Sequence, residues 1–171
     1  MAEIPSTPAD GNIKTVLVTA LADPAAPKLT ELTGGTVTDI SCYLTPGGFA
    51  LTTDQATITD ERECSTEVFG QPGRKTYTLG ITGIDNTNSA NSADSNELVD
   101  ALIEGQQVYA VRRRGKAFDA PFATGDKVTV IPFKAGVRSE VAAEANSVLR
   151  STWASFITGP VQVDVAVVAG A

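Results

Sequence analysis

The stretch from Lys75 to Arg114 restricts the fold more than any other part of the chain, because it reads as strand, polar loop, helix and strand in turn. Tyr77, Leu79 and Ile81 alternate with Thr76, Thr78, Gly80 and Thr82, the period-two pattern of a half-buried strand. Ile84 to Ser95 is rich in Asp, Asn, Ser and Thr and nearly free of apolar residues, which makes it a loop. Asp94 followed by Glu97 has capping-box spacing, and Leu98, Ala101 and Leu102 follow at helical intervals. Gly105 supplies a left-handed stop. One helix over about residues 95–104 is therefore expected. Val108-Tyr109-Ala110-Val111 is a continuous apolar run, as in a strand covered on both faces. A helix and strands of this kind need a sheet to pack on.

The rest of the chain supplies it. Met1 to Asn12 is acidic and proline-containing and is expected to be a flexible arm, residues 1–12, ahead of one domain over 13–171. It has no apolar core, so it does not read as a signal peptide. Ile13–Leu21 reads as a strand. Leu29–Leu32 and Val37–Leu44 flank Gly34-Gly35 as a hairpin or bulge. Pro46-Gly47-Gly48 and Gln71-Pro72-Gly73-Arg74 read as turns. Between them Phe49–Phe69 is threonine-rich and poor in apolar residues, with Asp60-Glu61-Arg62-Glu63 near its middle. It reads as a long strand bent or broken near Asp60. Residues 49–84 then form a long projecting β-hairpin whose edges invite pairing with another chain.

Lys127–Lys134 is a strand in which Pro132 suggests an edge or bulge. Ala135–Asn146 is ambiguous. Val148–Ile157 is a strand with Leu149, Trp153 and Ile157 in phase, and Val161 to Val167 alternate as a further strand. About eight strands and one helix, joined by short links, give a mainly β fold: an antiparallel sandwich or split barrel with a flanking helix. The longest apolar run, Val165–Ala169, is far short of a membrane span.

The formal net charge is −7, from 13 basic and 20 acidic residues. That argues against a protein that grips nucleic-acid phosphates, though not against a surface past which nucleic acid slides. The excess acid lies in residues 1–70; the remainder balances at ten against ten. Regions of unlike charge can pair between copies.

Catalytic chemistry has little to work with. The chain has no histidine, which removes the commonest general base and metal ligand. No glycine-rich loop enters a helix as a phosphate cradle does. Asp60, Glu61 and Glu63 offer carboxylates for glycoside chemistry or a hard metal, but consecutive strand residues point to alternating faces and do not converge. Neither a catalytic, a cofactor nor a metal site is expected. Cys42 and Cys64 either form one bridge or are two small buried thiols. Arg112-Arg113-Arg114 with Lys116 is a basic run without interleaved aromatics. It either ends an exposed strand or salt-bridges the acidic hairpin of a neighbour.

Asp39-Ile40-Ser41-Cys42-Tyr43-Leu44, Ala50 to Glu61, and Gln71-Pro72-Gly73-Arg74-Lys75-Thr76-Tyr77 resemble the major tail tube proteins of long non-contractile-tailed bacteriophages. Ile84 to Ser89 and Ala145 to Thr152 add to the likeness, which covers roughly residues 30–165. The resemblance implies a β-sandwich with a flanking helix that self-assembles into hexameric rings. Rings stack into a tube around a tape-measure protein, meet terminator and tip proteins, and later pass double-stranded DNA during ejection. It also implies that the hairpin joins a continuous barrel around the lumen. Asp60, Glu61 and Glu63 are then candidates to face that lumen as a repulsive wall, and Arg112, Arg113, Arg114 and Lys116 to form inter-subunit contacts. Two other readings fit the same composition: a tube subunit of a contractile injection or secretion system, and a monomeric β-sandwich binding module. An enzyme using the carboxylates is the weakest reading.

Overall fold

Period-two alternation and short links produce ten elements in a computed structural model that describes residues 3–170. In order they are β1 (Ile13–Val18), α1 (Leu29–Thr33), β2 (Val37–Asp39), β3 (Leu44–Asp60), β4 (Phe69–Ile84), α2 (Glu97–Ala101), β5 (Gln107–Arg114), β6 (Lys127–Glu140), β7 (Arg150–Ile157) and β8 (Gln162–Ala166). The strands form one antiparallel sheet in the order β2-β1-β5-β6-β7-β4-β3, with β8 on β6. The sheet does not close into a barrel. Met1, Ala2 and Ala171, the ends of the expected arm and domain, lie outside the described residues. The C-terminal part of the arm is tied down: Phe118 donates its N–H to the Gly11 carbonyl and Gly115 to that of Asn12.

Two apolar clusters lie on opposite faces of the central strands. Leu17, Val108, Ala110, Ile131 and Phe133 join Trp153, Ile81, Leu79 and Leu98 in the first. Val16, Val18, Val111, Val128 and Val130 join Leu32, Phe122 and Val167 in the second. The Val108–Val111 run is thus buried on both sides, as its unbroken apolar character requires. Over β7, β4 and β3 only the first face is covered. Their other face carries Phe156, Ala154, Thr152, Thr82, Thr78 and Thr52, which belong to neither cluster.

Several local expectations differ from the structure. Leu29–Thr33 is a helix, not a strand. The Glu31 carboxylate accepts the N–H groups of Lys28 and Ala22 and fixes its first turn. The expected 95–104 helix is a single turn, Glu97–Ala101, with Asn96 rather than Asp94 before it. The Asn96 side chain instead accepts the Asn86 N–H, so it holds the polar loop. Gly105 does adopt φ +82°. Ala135–Glu140 continues β6. Leu149 is exposed and precedes β7, so of the three residues expected in phase only Trp153 and Ile157 pack on the core. Asp164 has φ +55° opposite a register shift in β6. That bulge breaks the valine alternation, leaving Val163 exposed and Val167 buried. Cys42 and Cys64 are both free and exposed, neither bridged nor buried.

Pro132 sits inside β6 without breaking it. β8 pairs with Lys127–Val130 and β7 with Phe133–Glu140, so the proline falls between the two partners. Its carbonyl accepts the Thr158 N–H on that side, and its missing N–H leaves no ladder bond unmade.

Pro46-Gly47-Gly48 is a bulge within β3 rather than a turn. Gly47 has φ +75°, and a Cβ on buried Gly48 would lie 2.1 Å from the Thr82 carbonyl oxygen and 2.8 Å from that of Thr45. Backbone on both sides cannot yield. Gly48→Ala is expected to cost about 2–3 kcal/mol by overpacking. Gly105→Ala, in open space, should cost about 1 kcal/mol for its left-handed backbone alone. Urea midpoints of the two variants check the difference; equal losses would contradict it.

Candidate functional site

β3 and β4 pair from Leu44–Gly83 at the base to Asp60–Phe69 at the far end. β4 pairs with β7 only through Ile81–Ile84. Phe69–Gly80 therefore has β3 as its sole strand partner, and the hairpin runs about 40 Å past the sheet at roughly 3.4 Å per residue. β3 ends the sheet, so its outer edge is open along its whole length. Near the base, Leu51 and Leu79 pair and pack on the first cluster. Farther out, Thr52–Thr78, Thr53–Tyr77 and Asp54–Thr76 pair with little cover.

Threonine explains how such a shaft forms without a core. Its branched Cβ favours extended backbone while its hydroxyl tolerates solvent. Gln71-Pro72-Gly73-Arg74 does not turn the chain; it lies within β4 opposite a register shift at Gln55–Thr57. Pro72 is tolerated because the strand is open on one side. Gly73 is needed because a Cβ would lie 2.8 Å from the Ala56 carbonyl oxygen.

The reversal is the loop 61–68. Asp60 closes β3 and accepts two bonds from Arg62, at 3.1 and 2.9 Å, and one from Gln71. The Arg62 bonds, helped by Gln71, hold the Asp60 carboxyl below its ordinary range. Glu61 and Glu63 lie in the loop itself. Of the three acids singled out from the sequence, Asp60 is thus neutralised locally and the other two make no ion pair among the described residues. Ile58, Val68 and Phe69 are exposed apolar side chains at the same end.

The basic run separates into four environments. Arg113 is buried within its own domain, 3.1 Å from Asp126, and donates to the carbonyls of Ala117, Ala120 and Pro121. Its guanidinium is not on the surface a neighbour would meet. Lys116 pairs with the other oxygen of Asp126. Arg114 is exposed at the end of β5. Arg112 is half-buried, with its guanidinium 4.5 Å from the centroid of Phe49. Burial, then the neighbouring Arg114, lower its pKa. Nothing in the sequence signals the Arg112–Phe49 stack, which depends on β3 curling toward β5. No group of acids and thiols suited to a metal occurs among the described residues, and none of their helices is long and apolar enough to cross a membrane.

A family model described as phage tail tube protein matches residues 1–170. No curated protein sequence matches the chain. Among solved structures, the chain is similar to one in the cryo-EM structure of the anti-feeding prophage (AFP) baseplate, 6-fold symmetrised, at 9% identity and a TM-score of 0.55. The match covers 91% of this chain and 95% of that one. At that identity the likeness is one of fold.

Proposed function

The chain belongs to the phage tail tube protein family, and on that premise we propose that it self-assembles into stacked hexameric rings forming the tail tube through which viral DNA leaves. It is a structural component of the virion tail, and its role is assembly rather than catalysis. The observation that carries the proposal is the open-edged hairpin, β3–β4. A long two-stranded ribbon without a core of its own is marginal in water. Main-chain pairing with neighbouring copies removes its edges, and a closed barrel removes them all.

Heterologous contacts of this kind close in one direction and propagate in the other, giving rings that stack. The uncovered face of β7, β4 and β3, with its threonines, runs on into the hairpin and suits the wall of a channel. Glu61 and Glu63 add negative charge to it; Asp60 adds little because Arg62 neutralises it. The excess of acid repels DNA phosphates and keeps passage non-specific. Tape-measure, terminator and tip proteins are the partners this role implies.

Electron microscopy of the purified protein tests the reading. Rings or tubes with a central channel are expected at high concentration. A strictly monomeric protein would favour a binding module and overturn it.

A further inference from the structure

Two unmet requirements lie at opposite ends of the hairpin. At its base, a cavity of about 430 Å³ is lined by residues that include Ile13, Thr15, Cys42, Phe49 and Arg112. The Arg112 guanidinium is held against Phe49 and makes no ion pair among the described residues; its Nη1 and the buried Thr15 Oγ1 have no hydrogen-bond partner. Asp10 also lines the cavity, but no ion pair joins it to Arg112. A half-buried guanidinium without an acceptor bears a desolvation cost that an arriving carboxylate removes. Carboxylates also match its planar fork.

At the tip, Glu67 makes no ion pair among the described residues. Val68 and Phe69 beside it are 64% and 54% exposed. This corner lies about 40 Å of strand from its own cavity, so the cavity it can reach belongs to another molecule.

Resting on the reading that the chain assembles, we propose that the Glu67–Phe69 corner of one copy seats in the Arg112 cavity of a second copy. The Glu67 carboxylate meets the Arg112 guanidinium, while Val68 and Phe69 cover the apolar wall formed by Ile13 and its neighbours. The acceptor missing at one end and the cover missing at the other are supplied by the same contact. Arg112 thereby becomes the member of the basic run that joins subunits, and Glu67 its partner at the interface.

The two cysteines provide a test in the native sequence. Cys64 lies in the tip loop, Cys42 lines the cavity, and both are exposed and free. Docking brings Cys64 of one copy beside Cys42 of the next. Diamide, which takes up two electrons and two protons from a thiol pair, should then yield Cys42–Cys64 peptides linked between copies in assembled protein and none in dilute monomer. Arg112→Glu or Glu67→Arg alone should raise the concentration needed for assembly about tenfold or more, and the two together should restore it. Arg112→Gln guards against misfolding of the charge reversal and should weaken assembly while shifting the monomer's melting temperature by no more than a few degrees, the loss expected for the Phe49 stack. Tubes that give no such crosslink, with Arg112→Gln assembling at the wild-type concentration, would overturn the docking and leave the tube reading standing. Failure to assemble under any condition would remove both.

Discussion

Replacement of Thr52–Thr78 by Asn-Gly is expected to give a folded monomer that forms neither rings nor tubes. The cut falls beyond the Leu51–Leu79 pair, so every hairpin residue that packs on the first cluster is kept: Leu79, Ile81, Leu44, Phe49 and Leu51. The β4–β7 ladder at Ile81–Ile84 is also untouched. What is lost is the shaft and loop, which contribute no buried apolar side chain to either cluster. Asn-Gly is the two-residue loop whose backbone twist suits a hairpin. Thermal unfolding should therefore stay cooperative, with a melting temperature within a few degrees of the wild type. If the open edges recruit neighbours as proposed, assembly should change from extensive to undetectable, because those edges are gone. Sedimentation velocity and electron microscopy of the same sample read both quantities. Tubes formed by the shortened chain would place the assembly contacts elsewhere; a chain that no longer folds would show that the shaft is part of the core.

Much of this architecture is visible in the residues, and the failures have physical causes. The projecting hairpin is legible because threonine-rich alternation without apolar partners can make strand but cannot make core. Its turn is not. Pro72-Gly73 and Gly47-Gly48 carry the composition of turns, yet each sits in a bulge, where the same backbone freedom serves to re-aim a strand. The true reversal at 61–68 lacks glycine and proline altogether. Leu29–Thr33 becomes helical through the Glu31 carboxylate capping Lys28 and Ala22, a contact set by the path of the preceding loop. At the candidate interface, the basic run is obvious in the sequence, but its four members diverge. Alternation along β5 buries Arg113 and leaves Arg112 on the other face. Whether a buried arginine is anchored inside its own domain depends on Asp126, whose Thr124-Gly125-Asp126 setting reads only as a turn.

That buried pair has the largest effect on stability expected of any side chain here. Arg113 and Asp126 are 1% and 2% exposed and 3.1 Å apart. Arg113 also donates to three carbonyls of the 115–126 loop, and the Asp126 carboxylate accepts the Ala123 N–H and a bond from Lys116. The pair thus fastens that loop to β5 and holds Phe122, with the Arg113 guanidinium 5.1 Å from its ring centroid, over the second cluster. Asp126→Asn leaves the buried Arg113 charge without an acid and should cost about 3–5 kcal/mol; Arg113→Met should cost less, because Lys116 still pairs with the Asp126 carboxylate. Arg113→Met with Asp126→Leu should cost less than the sum of the single losses, because neither charge remains.

The same carboxylate sets an acid limit. Burial alone would raise its pKa, but the bonds from Lys116, Ala123 and Arg113 together hold it below the ordinary 3.8. A depressed folded-state pKa gives stability that is complete above the unfolded-state value and is lost as pH falls through the folded-state value. Wild-type protein should therefore lose urea resistance as pH drops below about 4. Asp126→Asn, already weaker at neutral pH, should show a shallower decline over that range. Parallel slopes for the two proteins would mean that other carboxylates, such as Asp39 and Asp85, whose pKa values are also lowered, carry the acid sensitivity instead.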